Sequence, residues 1–256
     1  MEEQVKNKVK SVFGKNADKY VTSDIHAKGD DLPLLAEWLH PEKTWTILDI
    51  ATGGGHVSRV LAPRVGTVVS TDLTEAMLEN TAKHLQKDFD NILYVVADAE
   101  ALPFLADSFD AAVCRIAPHH FPHPEKFIQE TARVLKPGGK LILIDNVAPE
   151  DAELGIFMNT TEKLRDDSHA RCLSKREWRK LLEANALEEI QSLDRKKTFK
   201  YPTWVRRTAD SEEQIERVTR HLLEADGAAK DYFKIAVQNG EIQTFEIDEW
   251  MVMYQK

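Results

Sequence analysis

The stretch Asp49-Ile50-Ala51-Thr52-Gly53-Gly54-Gly55 concentrates the residue types that could do chemistry in this chain. Apolar, partly β-branched residues lead up to the acid. Three glycines close the stretch, and Val57, Val60 and Leu61 then recur at helical spacing. Strand, glycine turn and helix form the opening of a βαβ unit. Glycines in that turn let backbone approach a ligand with no intervening Cβ, and they accept positive φ. A second strand, Thr67 to Thr71, ends in Asp72, whose carboxylate can accept hydrogen bonds from a ribose diol. The pattern is that of a nucleoside-binding site.

Two ligand classes compete for it. A dinucleotide site requires G-x-G-x-x-G, with the helix N-terminus facing a pyrophosphate. Here Gly53 and Gly55 are followed by His56, Val57 and Ser58, so the third glycine is missing. Asp49 would repel a pyrophosphate but attract a cationic amino-acid group. The D-x-A-x-G-x-G run followed by Asp72 resembles the first motif and ribose-binding acid of class I S-adenosylmethionine-dependent methyltransferases. Ala51 stands where that family usually has glycine. Three further stretches match in order and spacing: Asp98-Ala99-Glu100-Ala101-Leu102-Pro103-Phe104, Ser108-Phe109-Asp110 and Leu135-Lys136-Pro137-Gly138-Gly139. Together they span about residues 45–147.

The resemblance implies S-adenosyl-L-methionine as cofactor and assigns roles. Asp49, Ala51, Thr52, Gly53, Gly54 and Gly55 would hold its amino-acid end and Asp72 its ribose. Asp98 and the Ala99 amide would hold the adenine, with Leu73 and Met77 on the ring faces. The segment Cys114 to His123, with Arg115, His119 and His120, would face the methionine end and the methyl acceptor. An N-terminal stretch with an aromatic and a histidine, here Tyr20, His26 and Lys28, resembles the lid of ubiquinone/menaquinone-type relatives. The bland alternatives are a helix packed on the sheet edge, a helix N-cap at Asp98, and core roles for Leu102 and Phe104.

Methyl transfer from a sulfonium asks little of side chains, because positioning alone can supply roughly 7–11 kcal/mol. A base is needed only if the acceptor must lose a proton, and histidine has the right ordinary pKa for that work. His119 and His120 are read as acceptor-lining residues, with a base as the sharper alternative. The three histidines of this segment sit on a proline-broken loop without a carboxylate or cysteine ligand pattern, so no metal is assigned. The catalytic residue is left unassigned. A small, partly apolar metabolite is the expected acceptor. An NAD(P)-dependent oxidoreductase and a non-catalytic adenosyl-ligand-binding protein stand as the alternatives.

The elements that must position these residues follow from periodicity. Strands and helices alternate from Thr46 to Val147, which implies a mostly parallel sheet covered on both faces. The expected fold is α/β and Rossmann-like, with seven strands, the last antiparallel, and an extra C-terminal helical cap. Residues 1–256 are read as one domain. Its parts are a cofactor-binding core at 45–147, N-terminal lid helices at 1–40 and cap insertions at 150–172 and 201–238. Leu187 to Phe199 and Ile242 to Tyr254 are the expected late strands, the second following an Asn239-Gly240 turn.

A formal charge of −9 argues against a nucleic-acid groove. Two isolated cysteines fit a reducing, cytoplasmic setting. No apolar run approaches the roughly 20 residues of a membrane span.

Overall fold

The computed structural model describes residues 5–11, 14 and 29–256. Residues 5–11 are helical. The elements that follow are α1 (Asp31–Leu39), β1 (Thr46–Ile50), α2 (His56–Leu61), β2 (Thr67–Asp72), α3 (Glu75–Leu85), β3 (Ile92–Val96) and β4 (Phe109–Arg115). Then come α4 (Pro124–Val134), β5 (Leu135–Asn146), α5 (Ala152–Arg165), α6 (Lys175–Ala184) and β6 (Glu188–Lys200). The chain closes with α7 (Tyr201–Val205), α8 (Glu212–Leu223), α9 (Gly227–Tyr232), β7 (Ala236–Gln238) and β8 (Glu241–Gln255).

The sheet runs β3-β2-β1-β4-β5-β8-β6, with β7 paired to β8. Strands β1 to β5 are parallel; β8 is antiparallel to both β5 and β6. The final strand therefore lies between β5 and β6, and the three-residue β7 brings the count among the described residues to eight. Strand order reverses between β1 and β4, and open α/β sheets bind ligands at the carboxyl ends of strands flanking such a reversal.

Alternation along the strands sends side chains to two cores. On one face Leu48, Ile50, Ala112, Cys114, Leu141 and Leu143 meet Phe127 and Ile128 of α4 and Trp178 and Leu182 of α6. On the other, Ile47, Val68, Ala111, Val113, Ile142 and Ile144 meet Leu35 and Leu39 of α1 and Val57 and Leu61 of α2. Both faces are covered, which is why the central strands read as near-continuous apolar runs.

A third cluster joins Met158 of α5, Tyr201, Trp204 and Val205 of α7, Val218 and Leu222 of α8, and Phe233. Phe199, Phe245 and Ile247 of β6 and β8 complete it. These helices leave β5 and β6 at the carboxyl ends of the parallel strands, the end at which the crevice opens. The starts of α5 and α8 are capped: the Asp151 side chain accepts from Glu153 and Leu154 N–H groups, and Ser211 accepts from Gln214 N–H. The expected capping box at Ser174 and Glu177 forms in full at α6. Among the described residues, no helix is long and apolar enough to cross a membrane.

Candidate active site

A cavity opens at the carboxyl ends of β1, β2, β3 and β4. Asp49, Asp72 and Asp98, from three neighbouring strands, all line it. So do Ala51, Thr52, Gly53, Gly54, Leu73, Met77, Ala99 and Arg115 from the sequence assignment.

The turn after β1 is held by its own hydrogen bonds. Thr52 N–H donates to Thr71 O at 2.8 Å, and Gly55 N–H to Thr52 O at 2.9 Å. Gly53 N–H donates to Asp72 Oδ2 at 3.1 Å, so the glycine turn fixes the acid on β2; Thr74 N–H holds the other oxygen at 2.9 Å. Gly53 has φ +53° and Gly55 φ +76°. Gly55 does not line the cavity: a Cβ there would meet Thr81 Cγ2 at 2.5 Å and Leu85 Cδ1 at 2.7 Å. Its glycine is required by the packing of α3. Ala51 also has positive φ, 53°, in the position where a glycine pattern is usual.

Asp49 is buried and takes three hydrogen bonds on Oδ2: from the Thr52 hydroxyl at 2.6 Å, the Ser58 hydroxyl at 2.6 Å and Ser58 N–H at 3.1 Å. Burial nevertheless pushes its carboxyl up to about 6, and nearby Asp72 adds to the effect. Burial also raises Asp72. A buried and a half-buried acid on one cavity wall make a place where positive charge is favoured.

Two expectations are altered by the partners these groups find. Arg115 lines the cavity, but its guanidinium forks onto Asp31 of α1, through Nε to Oδ2 and through Nη2 to Oδ1 at 3.0 Å. His119 lies behind the cavity wall. Its N–H donates to Asp145 Oδ2 at 2.9 Å and its Nδ1 sits 2.7 Å from Asp145 Oδ1. Burial works against the charge on His119, but Asp145 wins and raises its pKa.

His120 does line the cavity. Its Nδ1 is 3.1 Å from the Ser168 carbonyl, so that nitrogen carries the hydrogen and Nε2 the ring's lone pair. Burial, then the neighbouring His119 charge, pushes His120 down to about 4. The ring of His169 lies 5.7 Å from that of His119 and 6.5 Å from that of His120. Tyr20, His26 and Lys28 fall outside the described residues.

Lys6, Val9, Glu100, Ile116 and Phe121 also line the cavity; none was singled out in the sequence, although Glu100 lies in the stretch expected at the adenine and Ile116 and Phe121 in the segment expected at the methionine end. Ile116 is β-branched yet has φ +53°, an unfavourable combination of the kind that collects at functional sites. It follows Arg115 directly, and no local sequence signal marks it. Among the described residues there is no group of three or more His, Cys, Asp or Glu placed to hold a metal ion.

Comparison with known proteins adds the following. The family model described as a methyltransferase domain matches residues 48–143. The uncharacterized methyltransferase YcgJ of Bacillus subtilis is 36% identical over 237 residues, covering 91% of this chain and 93% of that one. A ubiquinone/menaquinone biosynthesis C-methyltransferase, UbiE of a Ruegeria species, is 32% identical over 152 residues, covering 56% of this chain and 61% of its own. The crystal structure of BH2331 from Bacillus halodurans C-125 superposes with a TM-score of 0.87 at 36% identity, covering 89% of this chain and 99% of that one.

Proposed function

Because the chain belongs to the methyltransferase family, we propose that its acidic cavity takes S-adenosyl-L-methionine and that it methylates a small-molecule acceptor entering beneath the C-terminal helices. The observation that carries this reading is the row of Asp49, Asp72 and Asp98 on adjacent strands, facing one cavity. An acidic cradle of this kind favours a ligand bearing sulfonium and ammonium groups over one bearing a pyrophosphate. Ser58 supports the same choice: it stands where a dinucleotide turn needs glycine, and it is committed to Asp49.

When bound, the cofactor supplies a methyl group already activated by its sulfonium. The chain's own work is to hold and to shield. Asp49, Thr52 and the Ala51–Gly54 backbone take the amino-acid end. Asp72 takes the ribose hydroxyls, and Asp98 with the Ala99 amide takes the adenine. Leu73 and Met77 pack on the ring. Arg115, locked by Asp31, shapes the wall beside the methionine end rather than offering a loose charge.

The acceptor's surroundings combine an apolar wall at Ile116, Phe121 and Pro122 with the neutral imidazole of His120. A neutral ring does not repel a sulfonium, and its Nε2 can accept a hydrogen bond from a hydroxyl or amine. The acceptor class is accordingly a partly apolar molecule carrying an O–H or N–H group.

The helix at 5–11, which brings Lys6 and Val9 to the cavity wall, is read as a lid, and 150–172 and 201–238 as cap insertions of one methyltransferase domain. The two buried thiols, Cys114 and Cys172, suit a reducing cytoplasm. Thermal-shift titration tests the reading: S-adenosylmethionine and S-adenosylhomocysteine raise the melting temperature, and NAD and NADP do not. The reverse order would replace it with an oxidoreductase. Tritium transfer from labelled donor to added phenols or amines separates turnover from mere binding.

A further inference from the structure

The helical residues 5–11 carry a lysine into the acidic cavity. Lys6 Nζ lies 2.7 Å from Asp98 Oδ2 and 2.6 Å from Glu100 Oε2, with 18% of its side chain exposed. Each carboxylate spends its other oxygen on backbone: Asp98 Oδ1 accepts from Glu100 N–H at 2.9 Å, and Glu100 Oε1 from His123 N–H at 2.7 Å. Val9, one turn on, lines the same cavity. Lys8 ties the same helix to the loop after α5, 3.0 Å from Asp167 Oδ2.

We infer that Lys6 is a built-in competitor for the adenine-binding acid, so that the cofactor enters by displacing an ammonium from Asp98. The inference rests on the cofactor reading above. Adenine recognition at Asp98 needs a carboxylate oxygen free to accept from the ring's amino group, and that oxygen is the one Lys6 holds. A ring amine and an ammonium cannot both take it in the same line. Burial works against the charge on Lys6, yet the two carboxylates raise its pKa above the ordinary ammonium range. The lysine therefore stays charged, and the contact stays competitive, across all working pH. The competitor weakens the methylated donor and its demethylated product alike. In an enzyme whose turnover waits on product release, that favours exchange.

Calorimetry with S-adenosylhomocysteine on the wild type, Lys6→Met and Lys6→Arg tests the inference. Lys6→Met is expected to bind about tenfold more tightly, the scale of one lost charge-assisted hydrogen bond in a partly exposed place. Lys6→Arg is expected to stay near the wild type, since it keeps the cation. A second readout uses 5′-methylthioadenosine, which brings no charge of its own. Its affinity for the wild type rises with added salt as the ion pair is screened, and its affinity for Lys6→Met does not. Unchanged or weaker binding by Lys6→Met, with its melting curve intact, overturns the competitor role while leaving the cofactor reading standing. Failure of every variant, wild type included, to bind S-adenosylhomocysteine overturns both.

Discussion

Ser58 gives Asp49 both of its donors: the hydroxyl at 2.6 Å and the backbone N–H at 3.1 Å, on the same carboxylate oxygen. The serine hydroxyl also lies 2.6 Å from that of Ser70 on β2, so one buried side chain links two strands and an acid. Ser58→Ala leaves those partners short of a hydrogen bond in a buried place, at a cost of about 1–3 kcal/mol. Chemical denaturation reads that loss. Ser58→Gly, which restores the dinucleotide spacing, is expected to lose stability too and to gain no affinity for NAD.

The raised carboxyl of Asp49 makes cofactor binding depend on pH. A carboxyl held up to about 6 in the fold stabilises the protein below its ordinary range, and that contribution is lost as pH rises through about 6. At neutral pH the ionised acid is a buried liability that a cationic ligand relieves. Affinity for S-adenosylmethionine is therefore expected to fall about tenfold from pH 7 to pH 5, as binding has to expel a proton first. Calorimetry in two buffers of different ionisation enthalpy reads that proton directly. An affinity flat over this range contradicts the assignment of Asp49.

Gly55 serves packing rather than ligand contact. Gly55→Ala places a methyl group within 2.5 Å of Thr81 Cγ2 on a residue with φ +76°. Backbone strain and overpacking together predict a loss of about 2–4 kcal/mol in urea unfolding. Gly53→Ala meets no such neighbour, its nearest atom being Ala51 O at 4.0 Å, and it is expected to cost only its backbone strain.

Arg115 and Asp31 form a buried pair, 6% and 2% exposed, joined through Asp31 to Arg195, 3.6 Å away. Arg115→Met leaves a buried carboxylate with only the weaker pull of Arg195 and Lys197, and a loss of about 3 kcal/mol is expected at neutral pH. Burial opposes the charge of Asp31, but Arg115 holds its carboxyl below the usual range. The pair's contribution is thus present above the ordinary carboxyl pKa and is lost as pH falls through the lowered one. The wild type and Arg115→Met are expected to converge in stability in acid, which denaturation at pH 7 and pH 3 checks.

How much of this was legible in the sequence varied with how local each signal was. Asp49, Asp72 and Asp98 each lie within two residues of a strand's carboxyl end, so counting strands was enough to place all three on one cavity. β6 was harder: it is the sheet edge, rich in charge and largely exposed at its start, so its alternation is faint, as expected of an edge guarded against pairing. Arg115 and His119 sit on the expected segment, but their partners, Asp31 and Asp145, come from distant elements and decide what they can do. Lys6 and His169 were out of reach for the same reason. Nothing within a few residues of either announces Asp98 or the histidine pair. Ile116 was not singled out within its segment because positive φ in a β-branched residue is imposed by tertiary structure and has no compositional mark.

The central claim is that aspartates on successive strands cradle an adenosyl cation, and Asp72 is where it is most exposed to test. Asp72→Asn keeps an acceptor for Gly53 N–H or Thr74 N–H and removes the charge. Isothermal titration of wild type and Asp72→Asn with S-adenosylhomocysteine is the direct measurement. The account predicts one site per chain, with affinity weakened by about ten- to a hundredfold in the variant, as loss of a charge-assisted hydrogen bond implies. No binding by the wild type at saturating ligand, or equal binding by both proteins, would contradict it.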